Sequence, residues 1–338
     1  MPRRRGDTLG DVRLMLVNVF DTAIDTDNLG DEIIMDAVWD VLRRIFPAAT
    51  FRRIASHRHA SIRQMLTGRK ADVSVVGGTN ILKSHMLFRG NWRISPLDYL
   101  AWRKVVLLGV GWQHYGGGEA DAPTRLFFRS ILSRSRLQSV RDMHTYALLR
   151  PHVPTAIYTG CPTMWRLTPE HCAKLPVRKA RSVIFAVTYY QPAPAADRAV
   201  FQLLKRHYDK VFFWPQQASD ISYLRNLDVD GFVALPRDIA QFNRLLDEED
   251  VEFVGARLHG GIRALQRGRR ALIVPVDNRA TEIGKVTQLP TGSRTELEAI
   301  ERWIVEPRPT RIALPWDAIE RWQNQFAAEG NSVRNTVR

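Results

Sequence analysis

The feature that most constrains this chain is a short apolar run at residues 12–18 followed by an amphipathic stretch at 31–46. In the second stretch Ile33, Ile34, Ala37, Val38, Val41, Leu42 and Ile45 recur at i, i+3 and i+4, so they share one helical face. Asp31 and Glu32 fall in the first turn, where negative charge meets the positive end of the helix dipole. The run before it, closed by the polar Asn18, predicts a buried strand. The same alternation recurs, with strands predicted at 50–54, 72–76, 105–109 and 137–140 and helices at 122–133 and 143–149. Strands that are apolar almost throughout, set between helices, predict a parallel sheet covered on both faces.

Residues 159–179 interrupt the rhythm with Pro162, Pro169, Pro176 and several basic residues, and are expected to connect two domains. Beyond them strands are predicted at 182–187, 211–214, 231–234, 251–254 and 271–274. Helices are predicted at 195–208, 239–246, 260–267, 296–303 and, after a proline, 316–328. The expected architecture is α/β, with a Rossmann-like domain over 1–165, a second over 166–330, and a disordered tail over 331–338. Two doubly wound sheets bind ligands between their carboxyl edges, so functional residues should lie just after strands.

Charge narrows the partners. Lys and Arg number 49 against 35 Asp and Glu, for a net charge of +14. Such a field attracts nucleic acid, anionic membrane or phosphorylated small molecules alike. The arginines are spread over both halves, and no zinc-finger spacing, aromatic RNP-like strand or basic heptad region occurs. Anionic substrates, with peripheral association at the inner membrane surface, are therefore the expected partners, and nucleic acid is not. No apolar run approaches the ~20 residues of a membrane span, and the basic N-terminus lacks a signal-peptide core, so a cytoplasmic location is expected. Cys161 and Cys172 suit a reducing compartment and supply no metal framework. Without H-E-x-x-H or paired Cys/His spacing no metal is expected, and without G-x-S-x-G no serine-hydrolase elbow is present.

Several glycine-bearing polar loops follow predicted strands. Gly77 and Gly78 read either as a tight turn or as a close-approach loop for a ligand. Arg141 reads as a salt-bridged helix start capped by Asp142, or as a guanidinium gripping a carboxylate or phosphate in the cleft. Arg257 and His259 follow the strand-like VEFVG, where unpaired charge is costly, and Gly260 and Gly261 follow at a helix start. A part-buried histidine beside an arginine is neutral when alone and protonated when an anion binds, which suits a general acid. The competing reading is a structural histidine bonded to a backbone carbonyl.

Taken in order, these loops resemble the polysaccharide pyruvyltransferase family. The resemblance is carried by Asn28-Leu29-Gly30-Asp31-Glu32, GGTN at 77–80, GVG at 109–111, SVRD at 139–142, TGCPT at 159–163 and, most specifically, RLHGGIRAL at 257–265. It spans roughly residues 12–287, and Thr79 stands where the family often has a third glycine. It implies a GT-B-like fold and transfer of a pyruvyl group from phosphoenolpyruvate to hydroxyls of a sugar or glycan acceptor, free, nucleotide-linked or lipid-linked, without a cofactor. Within the R-L-H motif Arg257 and Leu258 would bind the donor, His259 would be the catalytic acid, and Gly260 would adjoin the site. Arg141 and His114 would contribute to donor binding, while Asn28 and Asp31 either shape the acceptor side or cap the first helix. The alternatives are a sugar-nucleotide glycosyltransferase of the same architecture and a non-catalytic basic binding protein.

Overall fold

The computed structural model describes residues 15–86, 92, 93, 102, 104–113 and 118–327. The expected tail at 331–338 and His114 lie outside the described residues. In the first half the strands are β1 (Leu16–Asp21), β2 (Thr50–Ala55), β3 (Val73–Gly77), β4 (Asn80–Leu82), β5 (Val105–Leu108), β6 (Gly111–Trp112), β7 (Gln138–Val140) and β8 (Ala156–Tyr158). The helices among them are α1 (Leu29–Ile45), α2 (Ile62–Gly68), α3 (Ala122–Ile131) and α4 (Met143–Leu149). A four-stranded parallel sheet runs in the order β2-β1-β3-β5; the short parallel pair β4-β6 continues beyond the ends of β3 and β5, and the pair β7-β8 lies beside β5.

The second half carries β9 (Ser182–Ala186), β10 (Lys210–Phe213), β11 (Val233–Ala234), β12 (Val251–Gly255) and β13 (Ala271–Ile273). They form a five-stranded parallel sheet in the order β11-β10-β9-β12-β13. Its helices are α5 (Pro169–Cys172), α6 (Pro194–His207), α7 (Ala218–Asn226), α8 (Ile239–Glu248), α9 (Leu258–Gln266), α10 (Asn278–Thr287), α11 (Leu297–Val305) and α12 (Trp316–Asn324). The α/β class with two covered parallel sheets is as the apolar strands require.

Helix α1 is wide-faced because it packs on two cores at once. Ile34, Val38, Val41 and Leu42 press on the first sheet with Val17, Val19 and Val75. Leu29 and Ile33 instead join the second half's core with Trp214 and Ile262. Each such side chain removed from water contributes about 1.5–3 kcal/mol, so the helix ties the halves together hydrophobically.

Three differences from the sequence reading have physical causes. Strand β1 runs on through Val19 and Phe20 because Asn18 is not a terminator: its carboxamide is buried and donates to Gly68 O at 3.1 Å and Ser74 Oγ at 3.1 Å. The proline-bearing segment expected to connect two domains also contributes to packing, with Cys161, Met164, Leu167 and Leu175 inside the second half's core. Helix α9 begins at Leu258, ahead of the expected start at Gly260, so both glycines lie inside its first turn.

The last helix returns to the first half. Ile319, Trp322 and Phe326 pack with Val41, Leu42 and Trp165, and the Trp322 indole N–H donates to Leu107 O at 3.1 Å. Trp322→Ala should therefore cost about 3–5 kcal/mol in urea unfolding, the range for emptying a buried aromatic site. A loss under about 1 kcal/mol would show that α12 is only laid on the surface.

Candidate functional site

The carboxyl ends of both sheets meet at the N-terminus of α1. There a pocket of ≈ 130 Å³ is lined by Asn28 and Asp31 of α1, Asn80 after β3, Arg141 after β7, and Arg257, Leu258 and His259 after β12. Residues far apart in the chain thus share one cavity because each ends a parallel strand or opens a helix.

Arg257 occupies the N-cap position of α9 and is buried. Its Nε donates to Val187 O at 3.1 Å and its Nη1 to Gln217 Oε1 at 2.9 Å, while Nη2 is hydrogen-bonded to the Asp220 carboxylate. Asp220, wholly buried, also accepts from the backbone N–H groups of Gln216 at 3.1 Å and Gln217 at 2.9 Å. The Tyr190 ring lies 5.5 Å from the guanidinium carbon. This network fixes the fork of Arg257 while leaving the residue on the pocket wall. Asp220 and Tyr190 escaped the sequence reading. The signal for Asp220 was its place three residues after Gln217, as in a capping box, although α7 was not predicted.

Arg141 stands at the salt-bridged helix start, with its guanidinium on the pocket wall. Asp142 caps α4, accepting from Thr145 N at 2.7 Å, and its other oxygen lies 3.4 Å from Arg141 Nε. The buried guanidinium lines the pocket against Gly111, where a Cβ would come within 2.4 Å of Arg141 Nε and 2.3 Å of Asn80 Oδ1. A side chain at 111 would displace both. Asn80 is itself buried, and neither its carboxamide N nor its O has a hydrogen-bond partner among the described residues. An amide buried in that state costs about 1–3 kcal/mol.

Asn28 caps the first helix, and both Asn28 and Asp31 line the pocket. Asn28 is the N-cap of α1, accepting from Gly30 N at 3.0 Å, and also accepts from Gln216 Nε2 of the second half at 2.7 Å. Asp31 is buried on the pocket wall, accepting from Thr26 Oγ1 at 2.9 Å and Thr79 Oγ1 at 3.3 Å. Burial pushes its carboxyl above the usual aspartate range, against the lowering pull of the Thr26 hydroxyl and Arg141. Thr79 takes the left-handed conformation, φ +58°, that a glycine would adopt there, and adds a hydroxyl that glycine lacks.

His259 stands in the first turn of α9 with its Nε2 3.8 Å from the Cys161 thiol, which accepts from Thr163 Oγ1 at 3.0 Å. Burial pushes the Cys161 thiol upward, so at neutral pH it is a protonated group and not a thiolate.

The glycines have a different place. A Cβ on Gly77 would lie 2.7 Å from Val38 Cγ1, and one on Gly78, at φ +54°, would lie 2.0 Å from Ile34 Cγ2. On Gly260 it would meet Trp214 at 2.8 Å, and on Gly261 Ile273 at 2.0 Å. The space beside these residues is filled by helix and sheet side chains, so they let α1 and α9 close on their strands, and none of them lines the pocket. Among the described residues no cluster of three or more His, Cys, Asp or Glu could hold a metal, and no helix is long and apolar enough to cross a membrane.

No curated protein matches the chain. In fold it is similar to UDP-GlcNAc 2-epimerase of Methanocaldococcus jannaschii, solved with UDP-GlcNAc and UDP, at 11% identity and TM-score 0.53, covering 93% of this chain and 99% of that one. It is also similar to UDP-GlcNAc 2-epimerase of Neisseria meningitidis, bound to UDP-GlcNAc, at 13% identity and TM-score 0.45, covering 96% and 99%. The architecture is thus GT-B-like: two parallel α/β sheets with the pocket between their carboxyl edges. The profile of the polysaccharide pyruvyl transferase family matches residues 28–278, which contain every pocket residue named above from Asn28 to His259, and the chain belongs to that family.

Proposed function

We propose that the chain transfers the pyruvyl group of phosphoenolpyruvate to two hydroxyls of a sugar, forming a ketal and releasing phosphate. The observation that carries this reading is the convergence of Arg141 from the first half with Arg257 and His259 from the second on one small pocket. Phosphoenolpyruvate bears a carboxylate and a phosphate on one carbon framework, and two fixed guanidiniums complement them at little reorganisation cost. The family's description supports a polysaccharide or its precursor as acceptor. The net charge of +14 suits a lipid-linked precursor at the cytoplasmic face of the membrane.

In this mechanism His259 donates a proton to the methylene carbon, giving the methyl group and an oxocarbenium-like centre at the enol carbon. One acceptor hydroxyl attacks that centre, and its proton passes to Asp31 and returns to His259. The carbon–oxygen bond to phosphate then breaks. The second hydroxyl closes the ketal, and its proton leaves with the phosphate. Asp31 suits the base role because its burial favours accepting a proton, while Arg141 and Arg257 hold the carboxylate and phosphate in place.

Phosphate release from phosphoenolpyruvate with a panel of sugar acceptors is the direct assay. His259→Ala should lower kcat about 10²–10⁴-fold, the usual contribution of a general acid, and full activity in that variant would contradict the assignment. Phosphoenolpyruvate should raise the melting temperature of the wild type, whereas stabilisation by nucleotide sugars alone would favour a glycosyltransferase.

Asp220→Asn should raise KM for phosphoenolpyruvate with a smaller effect on kcat, because it loosens the Arg257 fork without touching the pocket; an unchanged KM would contradict the positioning role.

Asp31 generates a prediction with a defined sign. Its native proton affinity exceeds the unfolded one, so its contribution to stability is full below the ordinary aspartate range and is lost as pH rises through the raised value. Asp31→Asn escapes that loss. Its melting temperature should exceed the wild type's near pH 7, the difference should vanish near pH 4, and turnover should fall. A variant less stable than wild type near neutral pH would contradict the assigned cost of burial.

A further inference from the structure

Residues 50–71 contain six Lys and Arg and no Asp or Glu, although 35 acidic residues are spread over the rest of the chain. They fold into β2, the edge strand of the first sheet, and α2, which covers the sheet face opposite α1. Gly68 of α2 packs on Trp102, where a Cβ would come within 2.1 Å of the indole, and Met65 leans on the same core. The other side of the helix is open. Ile62 is 74% exposed, and Leu66, one turn on and so beside it, is 61% exposed. They are two of the three most exposed large apolar side chains among the described residues. Arg63 and Lys70 are exposed on the same side, Arg69 closes the helix, and Arg58 and His59 are exposed in the loop that leads into it. Asp25, 3.1 Å from Arg58, balances one of these charges.

We propose that this face of α2 docks the protein on an anionic lipid bilayer, with Ile62 and Leu66 entering the headgroup layer and the surrounding cations on lipid phosphates. A net charge of +14 favours anionic partners but selects no surface, whereas this pattern does. The aliphatic pair gains by leaving water for the acyl boundary, and the cations gain within a Debye length of an anionic leaflet. A nucleic acid would take the cations and give the aliphatic pair nothing. A second copy of the same face would cover the aliphatic pair and set like charges against each other. The bilayer satisfies both halves of the pattern. The loop into α2 also leaves the carboxyl edge of the sheet, where the charge of His57 reaches Asp31 and Arg58 holds Asp25 just ahead of α1. Docking thus keeps that edge, and the pocket at it, close to the membrane surface where a lipid-linked acceptor presents its sugar. This last consequence rests on the pyruvyl-transfer reading; the docking itself does not.

The test is co-sedimentation of the full chain with vesicles of phosphatidylglycerol and phosphatidylcholine in equal parts, with neither donor nor sugar present. The protein should pellet with these vesicles and stay in solution with phosphatidylcholine alone. Arg63→Gln with Lys70→Gln should weaken binding about 25-fold, roughly fivefold for each cation removed. Arg129→Gln with Arg150→Gln removes the same charge from exposed positions outside α2 and should weaken it less than about threefold. Ile62→Gln with Leu66→Gln leaves the net charge unchanged and should still weaken binding about tenfold. All six side chains are exposed, so the variants keep the core intact. Pelleting that follows this pattern while phosphoenolpyruvate has no effect on the protein would support the docking face and count against the donor reading alone. No pelleting with the anionic vesicles, equal losses in the two charge pairs, or binding unchanged in the aliphatic pair would overturn the proposal. DNA binding or self-association that depends on these residues, without vesicle binding, would assign the face to another partner and overturn it as well.

Discussion

Everything at the site depends on the first turn of α1 being clamped between the two sheets. On one side Gly77 and Gly78 remove the side chains that would hold Ile34 and Val38 away from β3. On the other, Leu29 N donates to Gln216 O at 3.1 Å, and a Cβ on Gly30 would come within 2.6 Å of Gln216 Nε2. These contacts set the distance between Arg141, carried by the first half, and Arg257, carried by the second. Because packed interiors do not stretch, the gap is fixed by the helix rather than by the ligand.

The charges around that gap are arranged as paired cations beside one costly carboxyl. Asp142 stands against Arg141 and Asp220 against Arg257, so each buried guanidinium is partnered. Replacing either carboxylate strands a buried charge, which typically costs 3–5 kcal/mol. Asp31 accepts from two hydroxyls, and its burial raises its proton affinity against the opposing pull of Thr26, His57, Thr79 and Arg141. On the proposed reading such a site exchanges stability for function, its polar wall meeting an anion and a hydroxyl that must lose its proton.

Much of this was legible in the sequence, and the limits have physical reasons. Most strands of the two main sheets were read to within a few residues because parallel strands covered on both faces are apolar throughout, as in β3 and β12, whereas the short β4, β6 and β8 were not predicted. Arg141, Arg257, His259, Asn28 and Asp31 could be placed together because each follows a predicted strand, and the structure does gather them in one pocket. Asn80 stood in the GGTN loop without distinction, because nothing local reveals that its amide will be buried without a partner. Tyr190 and Asp220 reach the site through loops and helices of mixed composition, and the α7 pattern around Asp220 carries too few apolar residues to stand out. Gly77 and Gly78 were read as either a tight turn or a ligand loop because a glycine after a strand suits both, and their packing against Val38 and Ile34 is not visible locally.

The central claim is that two arginines from different halves act on one anion. A double-mutant cycle on phosphoenolpyruvate affinity, with Arg141→Lys, Arg257→Lys and the pair, measures that directly by calorimetry. Lysine keeps the charge but loses the bidentate fork, so burial of an unpaired carboxylate is avoided. The expected result is that the two losses fail to add, with a coupling energy above about 0.5 kcal/mol. Losses that add within that margin would mean that the arginines do not share a ligand, and the account of the site would be wrong.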